Sequence, residues 1–219
     1  MASNFQDDER ENAMIRLFNL HKDVEESRSG VDAYLALDGK EIPFELKTTS
    51  KGSVTTVRDF GLSHIQKWKD KHWLIRFFVK GREYYKYGSP SMMAPWIEEK
   101  KRYIEPDIKL ASLLPVKLTL DDLFSILGEK PFYTLDDAKY IQKKQYKQAQ
   151  YLELQDLDNG YSSEKMLQIL RERAEYVMRR GSTLNNPHIP FGYFKGWKEI
   201  TENHAEELRI LVRGYFRQL

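Results

Sequence analysis

The sequence predicts an α/β (α+β) fold in which a mixed central sheet is flanked by helices and followed by a largely helical C-terminal half. Apolar residues recur at helical spacing over 8–22, strand-like patterns dominate 31–47 and 72–79, and helical periodicity returns after residue 90. The 219 residues and the hydrophobic fraction of 41% suffice for one large domain with a core. We expect residues 1–90 to form the α/β core and 91–219 a mainly helical region that completes it within one compact domain.

The first half of the chain contains the most specific local signals. Residues 8–22 are predicted to be helical, and 31–37 and 41–47 are predicted to be strands joined by Asp38-Gly39, a dipeptide typical of hairpin turns. Pro43 indicates that the second strand is interrupted or lies near an edge there.

The following residues predict further elements. We expect a polar loop over 48–61 with a short strand at 54–57, a helix over 62–71, a buried strand over 72–79 and a hairpin into 84–87. Beyond Pro90 we expect a turn at Asp158-Asn-Gly, a polar loop over 181–190, and helices over 93–103, 119–127, 135–150, 163–180 and 197–217.

Composition excludes several kinds of protein. The chain has no cysteine, which excludes a disulfide scaffold, a thiolate zinc site and a cysteine nucleophile. The polar, acidic first ten residues do not resemble a secretory signal, and no apolar segment is long enough to span a bilayer. We therefore expect a cytoplasmic protein that has no membrane partner.

The formal net charge of +2 conceals an uneven distribution. Residues 1–46 carry a net charge of −6, and residues 47–102 carry +8. One interpretation is two solvated faces. The other is that carboxylates bind a metal ion next to cations that bind an anionic polymer.

Asp32, Glu45 and Lys47 form the strongest candidate site. Glu45 and Lys47 are two residues apart on a predicted strand, so both side chains project from one face. A hairpin centred near residue 39 places Asp32 opposite Glu45. Two converging carboxylates repel each other unless a cation or proton lies between them. Mg²⁺ is typically held by one or two carboxylates, and Lys47 would position or deprotonate the attacking water and offset phosphate charge.

These residues resemble the motif of the PD-(D/E)XK nuclease superfamily, to which many type II restriction endonucleases belong. The matching residues are Asp32 and the tripeptide Glu45-Leu46-Lys47, with Val31 in the variable position of the proline. The runs Glu45 to Ser50, Arg58 to Gly61, His64 to Trp68 and Arg180 to His188 also look like restriction-endonuclease sequence. The resemblance implies a restriction-endonuclease-like core over 1–90, metal binding by Asp32, Glu45 and Leu46, and Mg²⁺ as the cofactor, with Mn²⁺ able to substitute.

Many members of that superfamily carry a further glutamate on the preceding helix. Glu11 shares the predicted inward face of the first helix and is the expected fourth catalytic residue, and Glu9 and Glu26 are weaker candidates. Without catalysis, the same residues would form an exposed hairpin with an ion pair between Glu45 and Lys47.

Two polar segments are candidates for DNA contact. Hydroxyl groups, cations and glycine directly after Lys47 suit phosphate contacts, although an ordinary polar loop has the same composition. Arginine and asparagine near residues 180–188 could read base edges, although a capped helix end is an equal interpretation. Trp68, Trp73 and Phe77 are predicted to be packing residues. The candidate DNA-binding residues are Thr48, Thr49, Ser50, Lys51, Ser53, Thr55, Thr56, Arg58, His64, Arg180, Ser182, Thr183, Asn185, Asn186 and His188, with added attraction from Lys67, Lys69 and Lys71.

The sequence thus predicts a Mg²⁺-dependent type II restriction endonuclease acting on double-stranded DNA, with 5′-phosphate and 3′-hydroxyl products implied by the resemblance. A short chain that cuts two strands is expected to act as a homodimer, with residues 91–219 supplying dimer contacts and part of the DNA recognition. A DNA methyltransferase is an expected partner in the same system, without direct contact. The alternatives are a Holliday-junction resolvase or repair nuclease of the same superfamily, and a non-catalytic DNA-binding protein.

Overall fold

The computed structural model describes residues 2–23 and 30–218, and these form a mixed α/β structure. Its contacts divide the chain into two compact units, the first comprising residues 1–101 and 184–219 and the second residues 102–183. The C-terminal 36 residues therefore belong to the same unit as the N-terminal ones, whereas the sequence suggested a division at residue 90.

The first unit is built around a five-stranded sheet. The strands are β1 (Ala33–Leu37), β2 (Lys40–Thr49), β4 (His72–Val79), β5 (Arg82–Gly88) and β7 (Lys198–Ile200), and they lie in that order across the sheet. β2 and β4 run parallel, and the other neighbouring pairs run antiparallel. The mixed α/β class predicted from the sequence is confirmed at this level.

Helices cover both faces of this sheet. On one face, α1 (Ala2–Phe18) and α8 (His204–Phe216) contribute Met14, Phe18 and Leu208 to a core with Leu46 and Leu74. The opposite face packs against α2 (Leu62–Trp68) and the start of α3 (Pro90–Leu113). Trp68, Trp73 and Phe77 are buried in this second core, so their predicted packing role is confirmed.

Residues distant in sequence form a second, small sheet in the same unit. β3 (Val54–Thr55) pairs antiparallel with β6 (His188–Ile189). The loop predicted over 181–190 therefore contains a strand. Sequence periodicity missed this strand because it consists of only two residues, and its pairing partner lies far away along the chain.

The second unit is helical. It contains the C-terminal part of α3, a short 3-10 helix (Pro115–Lys117), α4 (Leu120–Leu127), α5 (Leu135–Gln142), α6 (Gln148–Glu153) and α7 (Ser163–Gly181). Leu123, Ala138, Tyr151, Tyr161 and Ile169 are among the residues of its separate core. The Ser162 hydroxyl caps α7 by accepting a hydrogen bond from the Lys165 N–H.

Several predicted helix boundaries are wrong. The helix expected over 135–150 is two helices, because Lys143 and Lys144 adopt left-handed backbone conformations that end α5. The helix expected over 197–217 begins only at His204, since residues 198–200 instead pair with β5 as the edge strand β7. The helix expected over 93–103 extends from Pro90 to Leu113.

The first helix also differs from its prediction. The helix expected over 8–22 is α1, which ends at Phe18 where Asn19 adopts a left-handed conformation. On its predicted apolar face Met14 and Phe18 are buried, but Leu17 is exposed. Over residues 2–23 and 30–218, no helix combines the length and apolar character needed to cross a membrane.

Candidate active site

The β1–β2 hairpin brings Asp32 and Glu45 opposite each other, as predicted. Ala33 pairs with Phe44 in the antiparallel register. Asp32, which precedes Ala33, therefore lies across from Glu45, which follows Phe44. Asp38 and Gly39 both have positive φ angles, which is the backbone form of a tight hairpin turn. Pro43 has a partner in β1, but the parallel pairing of β2 with β4 begins only at Phe44, so the missing N–H of the proline interrupts no bond on that side.

Lys47 contacts both carboxylates. Its Nζ atom lies 2.6 Å from Glu45 Oε1 and 3.7 Å from Asp32 Oδ2. The Leu46 N–H donates a hydrogen bond of 2.9 Å to the same Asp32 oxygen, while the Leu46 side chain packs in the core on the opposite face. The three motif residues predicted from the sequence therefore form one cluster on one face of the sheet.

A second ammonium group, that of Lys71, belongs to this cluster and was not among the predicted catalytic residues. The sequence predicts Lys71, with Lys67 and Lys69, on a helix that attracts DNA, but its side chain is 2% exposed and its Nζ donates to Glu45 Oε2 at 2.9 Å. The sequence signal for Lys71 is its place directly ahead of the buried strand predicted over 72–79. The parallel register that pairs Glu45 with Trp73, two residues after Lys71, is visible only in the tertiary structure.

The charges of the cluster shift one another's pKa values. Burial would raise the pKa of Glu45, but Lys47 and Lys71 outweigh it and lower that pKa to about 2. Burial and the neighbouring Glu45 raise the pKa of Asp32, partly offset by Lys47. Burial alone would lower the pKa of Lys47, yet Glu45 and Asp32 raise it above its ordinary value. Lys47 is therefore an ammonium group at neutral pH, which favours a role as cation and hydrogen-bond donor over that of a base.

The donor atoms of this cluster match Mg²⁺ in kind. Asp32 and Glu45 supply hard carboxylate oxygens, and one or two carboxylates are the usual protein share of a magnesium site. Within residues 2–23 and 30–218 no group of three His, Asp or Glu side chains assembles around one point. An ion held by Asp32 and Glu45 would take its remaining ligands from water and substrate phosphate, which is the usual pattern for Mg²⁺, and Glu45 would exchange part of its lysine contact for the ion.

Glu11 lies near this cluster, but it has another partner. Its carboxylate pairs with Lys22 at 2.7 Å, and its negative charge contributes to the raised pKa of Lys47. Glu9 is exposed on α1, and Glu26 lies outside the residues that the structure describes.

The structure joins the two segments that were predicted separately to contact DNA. Thr55 Oγ1 lies 3.2 Å from His188 Nδ1, and the Thr56 hydroxyl donates to the Pro187 carbonyl at 2.7 Å. Farther along, Phe60 and Leu184 exchange two backbone hydrogen bonds of 2.9 Å. Residues 54–60 and 184–189 thus form one two-stranded ribbon, hereafter the β3–β6 ribbon. It follows the site strand β2 after only four intervening residues.

The candidate DNA-binding residues on the ribbon and in the loop before it differ in accessibility. Thr55, Arg58, Asn185 and His188 are exposed. Thr49 is buried, and its hydroxyl donates to the Ser53 carbonyl at 2.6 Å and accepts from the Lys51 N–H, so it stabilises the loop. The remaining members of this set are exposed or half-buried: Thr48, Ser50, Lys51, Ser53, Thr56 and Asn186.

The other candidates lie at helix ends. His64 Nδ1 accepts from the Gly61 N–H at 3.4 Å at the start of α2, and burial together with nearby Lys67 lowers the pKa of His64. Ser182 is buried and donates to the Met178 carbonyl at the end of α7. Arg180 is exposed and contacts the Tyr176 hydroxyl, and Thr183 is half-buried.

Comparisons with known proteins identified no family. No family model matches the chain, and no curated protein matches it significantly. The geometry of the Asp32, Glu45 and Lys47 cluster is therefore the basis for proposing a function.

Proposed function

We propose that this chain is a Mg²⁺-dependent DNA endonuclease of the restriction type with a PD-(D/E)XK-like core, for which Asp32, Glu45 and Lys47 form the active site. The observation that carries the proposal is the convergence of two carboxylates and one ammonium group, with Lys47 Nζ 2.6 Å from Glu45 and 3.7 Å from Asp32. When bound there, Mg²⁺ would lower the pKa of a coordinated water and offset the charge that develops on the phosphate.

The residues of the chain have separable roles in this proposal. Asp32 and Glu45 hold the ion, and the bond from the Leu46 N–H keeps Asp32 turned toward Glu45. Lys47 remains protonated and about one-fifth exposed, so it can donate a hydrogen bond to a phosphate oxygen or to the attacking water. Glu11 contributes a nearby negative charge that helps to keep Lys47 protonated.

The β3–β6 ribbon supports DNA as the substrate. A two-stranded ribbon fits into the major groove of duplex DNA. Exposed Asn185 has the side-chain type that pairs with adenine edges, and exposed Arg58 suits a contact with phosphate. Because the ribbon continues from the strand that carries Glu45 and Lys47, a duplex held by the ribbon would present its backbone near the active site.

A second candidate is a non-catalytic DNA-binding protein. Its support is that both carboxylate oxygens of Glu45 already have an ammonium partner, as expected for a purely structural ion-pair network. This candidate predicts salt-sensitive DNA binding without metal dependence and without strand cleavage.

The test is a plasmid digest with Mg²⁺, with Mn²⁺ and with EDTA, followed by sequencing of the ends. We expect discrete fragments with either metal and none with EDTA. Cleavage confined to branched or damaged DNA would instead indicate a resolvase or repair nuclease, and binding without cleavage would favour the second candidate.

Two variants assign the site, and each has a matched control on the same hairpin. Asp32→Asn and Lys47→Met should lower the cleavage rate by about 100-fold or more, the usual effect of removing a group that stabilises charge in a transition state. Asp38→Asn at the hairpin turn and Lys40→Met at the start of β2 should cleave like the wild type. Full activity of Asp32→Asn or Lys47→Met would show that the active site lies elsewhere.

A further inference from the structure

Lys71 is a buried lysine whose ammonium group connects the segment before β1 with β2. Its Nζ lies 2.9 Å from Glu45 Oε2 and 3.3 Å from the carbonyl oxygen of Gly30. Gly30 comes two residues before Asp32. One ammonium group thus links the chain segment that precedes Asp32 with the carboxylate of Glu45.

Stability alone is a weak reason for a lysine in this position. Removing a lysine side chain from water is costly, and well-packed apolar residues often replace a buried ion pair without loss of stability. The Lys71 side chain is 2% exposed, so bulk water contributes almost nothing to stabilising its charge. The contacts of Lys71 therefore point to a role in the site to which its ammonium group is attached.

The cluster is electrically balanced without a metal ion. Two carboxylates, Asp32 and Glu45, face two ammonium groups, Lys47 and Lys71. Nearby Lys67 adds positive charge, and Glu11 is paired with Lys22. A divalent cation entering this cluster alone would leave an excess of positive charge, whereas a cation that arrives with a DNA phosphate would not.

We propose that Lys71 is a positioning residue that orients Glu45 and supplies a counter-charge, so that a divalent cation binds tightly only together with DNA phosphate. This inference rests on the proposed function, since it takes Asp32 and Glu45 as the metal ligands. By linkage, a metal that binds better in the presence of DNA also strengthens DNA binding by the same factor.

The test measures Mn²⁺ binding to the full-length, DNA-free protein by calorimetry. Lys71→Met removes the counter-charge and should tighten Mn²⁺ binding by about tenfold, within the usual range for coupled sites. Lys71→Arg keeps the charge and should bind Mn²⁺ as weakly as the wild type. Lys40→Met, which replaces an exposed lysine at the start of β2, is the matched control and should also match the wild type. Unchanged or weaker Mn²⁺ binding by folded Lys71→Met would overturn the inference.

A second measurement uses the wild type and does not depend on the folding of a variant. In protein labelled with [ε-¹⁵N]lysine, the ammonium signal of Lys71 should shift when saturating Mg²⁺ is added, because Glu45 then exchanges part of its contact with Lys71 for the ion. A Lys71 signal that stays unchanged at saturation would overturn the inference.

The inference and the proposed function can fail independently. If the wild type cleaves plasmid DNA but Lys71→Met does not bind Mn²⁺ more tightly, only the role of Lys71 is wrong. If Lys71→Met binds Mn²⁺ more tightly but the wild type cleaves no DNA, the metal-linked role of Lys71 stands and the nuclease proposal is wrong.

Discussion

His72 is a buried histidine that we expect to make the protein sensitive to acid. It begins β4, is 2% exposed, and its Nδ1 lies 2.7 Å from the Tyr87 hydroxyl. Burial lowers the pKa of His72 to about 4 from an ordinary value of 6.5. Because the folded protein holds the neutral ring, His72 contributes stability above pH 6.5, and this contribution is lost as the pH falls from 6.5 toward 4.

The size of the effect follows from the two pKa values. Each tenfold change in proton affinity corresponds to about 1.4 kcal/mol, so protonation of His72 should remove about 3 kcal/mol of unfolding free energy. The ion pairs of Glu45 are lost at lower pH, between its ordinary value of 4.5 and its lowered pKa of about 2. The two acid effects therefore fall in largely separate pH ranges.

Urea unfolding between pH 7.5 and pH 4 measures this effect. The double variant His72→Phe/Tyr87→Phe removes both partners of the hydrogen bond, so no buried hydroxyl loses its partner. Its unfolding free energy should fall by about 3 kcal/mol less than that of the wild type over this pH range. His188→Gln replaces an exposed histidine and should fall as much as the wild type. Parallel losses in the wild type and the double variant would refute the reasoning.

Two further predictions concern packing and DNA contact. Gly88→Ala should destabilise the protein by about 1–3 kcal/mol in urea unfolding, because its Cβ would overlap the ring of Trp197. Gly214→Ala, whose Cβ would have no atom within 4 Å, should not destabilise it, and equal stability of the two variants would contradict this packing. Arg58→Ala should weaken binding to duplex DNA and reduce the slope of log affinity against log salt by about 1. Arg217→Ala is the control and should leave the slope unchanged. An unchanged slope in Arg58→Ala would show that Arg58 makes no phosphate contact.

The hairpin that carries the candidate site could be predicted because its causes are local. The Asp38-Gly39 turn and the alternation of apolar residues in both strands determine the register, and the register alone places Asp32 opposite Glu45. β4 over 72–79 could be predicted for the same reason. Its sequence is apolar and rich in β-forming residues, and it ends at the turn formed by Lys80 and Gly81.

The predictions that were wrong concern segments whose structure depends on a distant partner. Residues 198–200 have helical periodicity in the sequence, but they complete the sheet by pairing with β5, where Ile200 becomes buried. Residues 188–189 are too short to be recognised as a strand until β3 lies beside them. In both segments, tertiary hydrogen bonds outweigh a weak local preference.

The sequence by itself determined the mixed α/β class, the hairpin register and the three residues Asp32, Glu45 and Lys47, because each depends on spacing along a short stretch of chain. Only the tertiary structure decided that Lys71 is buried against Glu45 and that residues 54–60 and 184–189 form one ribbon. The physical reason is that both arrangements depend on contacts between segments that are far apart in the chain. The parallel pairing of β2 with β4 brings Lys71 to Glu45, and hydrogen bonds across more than 120 residues join the two segments of the ribbon.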